Sequence, residues 1–468
     1  MKAIQSLKIL LLIVFVACKN DASINQSSMN FWLTKSDKTV LFQKQEVEFK
    51  WNKTINNDFL TIKIDSSTKY QTMNGFGYTL TGGSAFLLNT LNAESRTKLL
   101  TELFSTSENN IGVNYLRVSI GASDLDFKPF TYNDLNEGET DYNLEKFSIE
   151  KDKEHLIPVL KEILEINPTI KILGSPWSPP IWMKDNNSFI GGSLKTECQE
   201  VYANYFVKYL QTMQKEGIVI DAVTVQNEPL HPGNDPSLLM LANQQADFIK
   251  NNLGPAFKKA NLNTKIILYD HNCDKPEYPI SILNDPEAKQ YVDGSGFHLY
   301  GGDISAMTTV HDLHPDKNLY FTEQYTSNSS DFSEDLLWHI KQLHIGAPRN
   351  WSKNVLEWNL ANDATESIHT DGGCTVCLGA LTVQDGEITR NSPYYSVAHS
   401  SKFVRDGSVR IASTNLEKLP NVAYKTPAGK LVLLVLNESN TTTDFNIEFE
   451  GKTIQLSISE KSVGTFIW

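Results

Sequence analysis

IVIDAVTVQNEP, residues 218–229, decides how this chain folds. Its first part is rich in β-branched apolar residues and reads as a buried strand. It then ends on an amide, a carboxylate and a proline: Asn227, Glu228 and Pro229. Polar groups at the tip of a buried strand are costly unless something uses them. Pro229 lacks an N–H and stops the strand cleanly.

Outward from this segment, strand and helix alternate. Strands are expected at 75–79, 114–120, 171–174, 222–225, 265–269, 296–299, 319–322 and 355–358. A helix is expected over 156–166, with apolar residues at 156, 157, 160, 163 and 164 and Pro158 in its first turn. Another covers 201–213, with Tyr205, Phe206, Tyr209 and Met213 on one face. Eight β-then-α units predict an α/β fold, a (β/α)8 TIM barrel spanning 71–404. Both flanks read differently. Alternating segments at 47–51 and 60–64, and runs at 421–424, 431–437, 443–449, 453–458 and 464–468, are strands without helices. They predict one all-β side domain, a β-sandwich built from 31–70 and 405–468.

On this strand count Glu228 closes the fourth strand. Glu323, in LYFTEQY (319–325), closes the seventh. Catalytic groups of barrels sit at the C-terminal strand ends, so both carboxylates face one mouth. Two carboxylates across a pocket are what glycoside hydrolysis uses. One, protonated, releases the leaving oxygen. The other, ionised, attacks the anomeric carbon or activates water. Each negative charge raises its neighbour's pKa, which helps keep one protonated near neutral pH. The competing reading is a pair of salt-bridged strand ends.

Composition narrows the partners. The net charge is −13 and there is no basic cluster, which argues against nucleic acid. Eight tryptophans and seventeen tyrosines suit sugar stacking as well as a large core. No His, Cys and Asp cluster has metal-ligand spacing, so neither a metal nor another cofactor is expected. Cys198, Cys273, Cys374 and Cys377 lie in the body of the chain. Cys374-Thr-Val-Cys377 has no second pair at zinc-finger spacing, and reads as a disulfide or two buried thiols.

The N-terminus reads as a targeting segment. Lys2 and Lys8 precede the short apolar run 9–16, and Cys18 follows Val16-Ala17. Residues 1–18 are expected to be a lipoprotein signal, cleaved before Cys18, which then carries lipid. An ordinary secretory signal with an incidental cysteine is the alternative. Residues 19–30 read as a polar tether. The expected location is the bacterial cell envelope, lipid-anchored, with the leaflet open.

The sequence resembles glycoside hydrolase family 30, the family of glucosylceramidases and β-1,6-glucanases. The matches are GFGYTLTGG (75–83), YLRVSIGASD (115–124), GSPWSPPIWMK (174–184), QNEP (226–229), FHLY (297–300), TEQ (322–324), LEWN (356–359) and HSSKFVRDGSVRI (399–411). The resemblance implies a retaining mechanism on β-glycosides, with Glu228 as acid/base and Glu323 as nucleophile. It implies that Asn227 holds the sugar 2-hydroxyl and that Trp177 contacts the sugar. Asp124, two residues before Asp126, takes the far hydroxyls. His298 and Tyr300 lie near the nucleophile, and Trp358 walls the pocket. Trp182 and Tyr325 read equally well as packing. Arg117 reads as a buried partner of acidic groups, and His231 as a loop residue within reach of leaving-group sugars.

Two departures bear on substrate. Human-type enzymes of the family carry a Thr-Asp-Ala run where this chain has Thr81-Gly82-Gly83-Ser84. They also carry a tryptophan where His298-Leu299-Tyr300 places a leucine. The expected activity is therefore hydrolysis of β-glucosidic bonds in oligo- or polysaccharide, with β-1,6-linked glucan or glucosyl branches favoured. Glucosylceramidase, general β-glucosidase and β-xylosidase are alternatives within the class, and a non-catalytic glycan-binding lipoprotein lies outside it.

Overall fold

The computed structural model describes residues 29–46, 51 and 58–468. Eight parallel strands close into a barrel: β1 (Gly75–Thr79), β2 (Tyr115–Ser119), β3 (Lys171–Ser175), β4 (Ala222–Thr224), β5 (Lys265–Asn272), β6 (Val292–His298), β7 (Asn318–Glu323) and β8 (Ser352–Asn359). All eight expected strands are present, in chain order around the barrel. Tyr115, Leu173, Ala222, Ile267, Tyr320 and Leu356 form a separate buried cluster contributed by six of these strands. The larger core lies between strands and surrounding helices. Helix Leu156–Ile166 buries Leu156, Ile157, Val159, Leu160 and Ile163. Helix Gln199–Lys215 buries Tyr205, Phe206, Tyr209 and Met213, and extends two residues beyond the expected span at each end.

Strand ends differ from the sequence reading where the site lies. β4 stops at Thr224, four residues before Glu228. Val225 still donates to the Ile267 carbonyl, and the chain then turns. Asn227 donates its N–H to the Pro176 carbonyl and Glu228 to that of Asp270, which ties the turn to β3 and β5. Glu228 has φ 44°, a left-handed conformation uncommon for a residue with a side chain. Tyr269 and Asp270 also have positive φ, at 73° and 62°. There the β5–β6 register slips, and another slip falls between Phe321 and Glu323 against β6. Bulges of this kind re-aim side chains beside active sites.

The side domain is a nine-stranded sheet folded over its own core. Its edge-to-edge order is Gln43–Gln45, Asn30–Lys35, Ser462–Ile467, Leu431–Asn437, Asn421–Lys425, Val409–Ser413, Leu60–Thr72, Thr443–Phe449 and Lys452–Ile458. Phe445 meets Phe466 at 5.9 Å although their strands are not neighbours, so the two halves face each other as a sandwich. The first strand includes Asn30, the last residue of the stretch read as a tether, because Met29 and Phe31 enter the sandwich core. The strand expected at 60–64 continues to Thr72, pairing first with Thr443–Phe449 and then with Val409–Ser413. The latter strand had no counterpart in the sequence reading. The segment expected at 47–51 lies, apart from Trp51, outside the described residues, as do the signal, Cys18 and most of the tether. His399, on helix Ser392–Ser401, sits buried between Thr34 and Thr465 and fastens sandwich to barrel. Among the described residues no helix is long and apolar enough to cross a membrane.

Candidate active site

The site occupies the C-terminal mouth of the barrel. One cavity, of about 290 Å³, is lined by Asp124, Trp177, Asn227, Glu228, Tyr300, Glu323 and Trp358, with the loop through Gly373, Cys374 and Cys377. Seven of the eight residues expected to act on substrate therefore share one pocket, and the eighth, His298, lies directly beneath it. The larger cavities at Tyr115, Asp221 and Tyr320 and at Gln199, Met240 and Phe248 are lined by neither glutamate.

Glu228 and Glu323 approach each other across the pocket. With His298 they form a group whose ligand-type atoms all lie within 4.8 Å of one another. Carboxyls whose oxygens come this close suit the short separation of retaining glycosidases better than the wider gap that admits an inverting water.

Arg117, fully buried on β2, organises this pair. Its guanidinium donates to Glu323 Oε2, to Asn227 Oδ1 at 2.7 Å, to Asp270 Oδ2 at 2.9 Å and to Ser175 Oγ at 3.1 Å. The Tyr300 hydroxyl donates to the other oxygen of Glu323 at 2.8 Å. The Tyr300 ring is 37% exposed while its hydroxyl is turned inward. Arg117 also lies 4.7 Å from the centroid of Trp177, which is paired with Trp358 at 5.5 Å. Both tryptophans are almost wholly buried, so together they form the floor and wall of the pocket.

His298 links the acids. Its Nδ1 lies 3.0 Å from Glu228 Oε1 and its Nε2 3.1 Å from Asp270 Oδ1. Burial alone lowers an imidazole pKa, but Glu323, Asp270 and Glu228 reverse this and push His298 up to about 10. Asp270 is held far below the ordinary carboxylate range: burial opposes this, and Arg117, His298 and Thr322 outweigh it. An imidazolium donating at both nitrogens has no lone pair for a metal. Glu228, His298 and Glu323 therefore do not suit an ion, despite their proximity.

Glu228 and Glu323, buried this close, titrate as a pair. Burial lifts Glu323, with the Glu228 charge adding to it and His298 and Arg117 opposing. Burial also lifts Glu228, but His298 brings it below its ordinary value. The donors outweigh burial at Glu323, since each of its oxygens receives one, as an anion requires.

The remaining expectations sort cleanly. Asp124 faces the pocket, and Asp126 does not: it accepts from Ser123 N–H at 2.8 Å and closes a turn. Burial, then Glu323, with Glu228 contributing, raise Asp124 to about 7. Trp182 lies outside the pocket, its indole N–H donated to Asn133 at 2.9 Å and its ring against Tyr142. Tyr325 and His231 do line it. Asp270 and His271 went unread in the sequence. The run Ile266-Ile267-Leu268-Tyr269 before Asp270 carries the signal that marked the two glutamates, an apolar strand ending in an acid. His271 is buried 3.9 Å from Glu228, and burial lowers it to about 4, so it stays neutral there.

The glycosyl hydrolase family 30 TIM-barrel domain matches residues 73–404, and that family's β-sandwich domain matches 407–466. The chain belongs to glycosyl hydrolase family 30. This family 30 protein is 37% identical over 368 residues to an endo-1,6-β-D-glucanase of Neurospora crassa, covering 76% of this chain and 75% of that one. It is 28% identical to the lysosomal acid glucosylceramidase of Mus musculus, over 87% of this chain and 83% of that one. Among solved structures, the endo-β1,6-glucanase BT3312 superposes with TM-score 0.88 at 34% identity, covering 94% of this chain and 99% of that chain. The family 30 chain is thus a retaining glycoside hydrolase.

Proposed function

We propose that the protein cleaves β-1,6-linked glucan by double displacement, with Glu323 as nucleophile and Glu228 as acid/base. The observation that carries the roles is the asymmetry of donors. Arg117 and Tyr300 hold both oxygens of Glu323 as an anion aimed into the pocket, whereas among the described residues Glu228 receives the His298 donor on one oxygen alone. A sugar arriving beside Glu228 displaces water, and desolvation favours its protonated form. Glu323 then attacks the anomeric carbon while Glu228 gives its proton to the departing oxygen. Once Glu323 is esterified its charge is gone, the pKa of Glu228 falls, and Glu228 takes a proton from the water that releases the sugar. Asn227, fixed by Arg117 through its oxygen, presents its amide nitrogen beside the nucleophile for the 2-hydroxyl. Trp177 and Trp358 take the apolar sugar face and Asp124 the far hydroxyls.

The endo-1,6-β-glucanase activities of the Neurospora crassa and BT3312 relatives support the β-1,6-glucan. So does Gly82. A Cβ at that position would stand 1.7 Å from Asp126 Oδ1, so the aspartate of the human-type run has no room without moving Asp126. Products from residues 19–468 on β-1,6-glucan, beside glucosylceramide and aryl β-glucosides, test the reading, with Glu228→Ala and Glu323→Ala as controls. Short β-1,6-linked oligosaccharides, lost in both variants, are expected. Glucosylceramide as the best substrate would overturn the substrate assignment.

Export and a lipid anchor on Cys18 belong to the same proposal. The disulfide between Cys374 and Cys377 suits an oxidising compartment. Mass spectrometry of the Cys18 peptide from the membrane fraction is expected to find diacylglycerol on its sulfur. An unmodified cysteine there would refute the anchor.

A further inference from the structure

The segment after β8 crosses the pocket mouth and touches loops from several other strands. Thr370 N–H donates to the Asp124 carbonyl at 2.9 Å, and its hydroxyl donates to the Asp235 carbonyl. Gly373 lies hard against residue 124: a Cβ there would stand 2.3 Å from the Asp124 carbonyl oxygen. Cys374 N–H then donates to the Asp124 carboxylate, Oδ2, at 3.3 Å. Three residues later the chain is anchored again. Cys377 pairs with Ser327 in a short antiparallel ladder just past Glu323, and its carbonyl accepts from the Asn362 amide at 3.0 Å. Between them Thr375 and Val376 are exposed, and Val376 accepts one bond from Asn328 N–H.

The Cys374–Cys377 disulfide joins these two ends. Cys377 is buried in a cluster with Leu125, Trp177 and Trp358, and Cys374 packs against that cluster from the pocket side. The bridge thus ties a well-anchored residue to the peptide that contacts Asp124.

We propose that the Cys374–Cys377 bridge is a positioning element of the sugar site, holding the Gly373–Cys374 peptide on Asp124 and backing the Trp177–Trp358 pair. The inference rests on the reading of Asp124 as a sugar-hydroxyl acceptor. It concerns grip rather than bond cleavage, because neither cysteine touches Glu228 or Glu323 among the contacts described. Loss of the bridge frees the peptide, releases one charge-assisted hydrogen bond to Asp124 and loosens the aromatic wall. KM is then expected to rise by up to about 10-fold, through the misplaced Asp124 carboxylate, with kcat falling much less. A second signature separates this from loss of stability. Asp124 faces the charges of Glu323 and Glu228, and Asp126 lies two residues away. Removing the Cys374 N–H takes away a donor that favours the Asp124 anion, so the pH at which KM changes moves upward.

The test compares wild type, wild type reduced with a phosphine, and the Cys374→Ser/Cys377→Ser variant. Thiol alkylation and mass spectrometry report the bridge, and thermal melting reports the fold. KM and kcat are measured against pH on β-1,6-glucan and an aryl β-glucoside, with calorimetric binding of a glucose-configured imino sugar. Raised KM, weakened imino-sugar binding and an upward pH shift, restored by reoxidation, are expected. Unchanged KM and pH profile with the bridge absent would overturn the inference, and if the serine variant does not fold, the reduced wild type decides. Asp124→Asn is measured in parallel. If it weakens binding while bridge loss does not, the bridge inference alone fails. If Asp124→Asn leaves KM and imino-sugar binding unchanged, the sugar-site reading fails and the inference with it.

Discussion

Arg117 and Glu323 form a buried ion pair at the centre of the barrel mouth, with side-chain exposures of 0% and 8%. The same guanidinium also serves Asp270, Asn227 and Ser175, so one cation orients groups from β3, β5, β7 and the turn after β4. Replacing Arg117 by alanine leaves Glu323 and Asp270 to share the His298 imidazolium. Breaking such a pair costs about 3–5 kcal/mol, and Arg117→Ala is expected to lose that much in denaturant unfolding. Arg117→Lys keeps the charge but not the fork of donors, and is expected to recover part of the stability with kcat still depressed. Full activity in Arg117→Lys would show that the geometry of the guanidinium is dispensable.

The acid/base role of Glu228 predicts a dependence on the leaving group. General acid catalysis contributes about 10²–10⁴-fold, so Glu228→Gln is expected to lower kcat by that amount on β-1,6-glucan. An aryl glucoside with an acidic phenol needs little protonation, so its first step is expected to be far less affected. Pre-steady-state release of the phenol measures this directly. An equal loss on both substrates would remove Glu228 from the acid role.

His298 predicts an alkaline limb in stability. Its folded pKa is raised from 6.5 to about 10, so the folded state binds more protons across that interval. Its contribution is fully present below about pH 6.5 and is lost as pH rises through about 10. Melting temperature of wild type is therefore expected to fall relative to His298→Gln between these values. Parallel melting curves over pH 6–10 would contradict the imidazolium.

Much of this site was legible because a barrel repeats one signal: an apolar run, then a polar residue at the mouth. Glu323 follows that pattern directly. Asp270 follows it too, yet serves Arg117 and His298 from below the pocket. What distinguishes it is the backbone, with Tyr269 and Asp270 both at positive φ where the β5–β6 register slips, and a sequence does not display that turn. Trp177 and Trp182 lie five residues apart in one motif, and only the short helical turn Ile181–Met183 carries the second away from the pocket to Asn133 and Tyr142. Val409–Ser413 is not legible locally because it pairs with Leu60–Thr72, a strand more than three hundred residues earlier. The spacing of Cys374 and Cys377 left disulfide and buried thiols open, and the structure joins the two sulfurs.

Asp124 predicts a pH-dependent affinity. Its pKa of about 7 means that the carboxylate forms as pH rises through neutrality. Sugar hydroxyls donate to an anion more strongly than to a carboxylic acid. KM of wild type is expected to fall as pH rises through about 7, and Asp124→Asn to show a higher KM without that inflection. An inflection that survives in Asp124→Asn would assign it to another group.

The junction of barrel and sandwich predicts an acid limb. His399 is fully buried between the Thr34 and Thr465 hydroxyls, at 2.8 Å from each, and burial lowers its pKa from 6.5 to about 3. Between those values the unfolded chain binds the proton and the folded chain does not. Stability therefore rises with pH across the interval and falls as pH drops from about 6.5 towards 3. Thr34 lies on strand Asn30–Lys35 and Thr465 on strand Ser462–Ile467, so protonation of His399 places a charge where these two sandwich strands meet the barrel. His399→Gln retains a donor and an acceptor but cannot take the charge. It is expected to be less stable than wild type at pH 7, from imperfect packing, and to lose less melting temperature between pH 7 and 4. If wild type and His399→Gln lose the same amount over that range, the acid sensitivity resides elsewhere and the junction is not its origin.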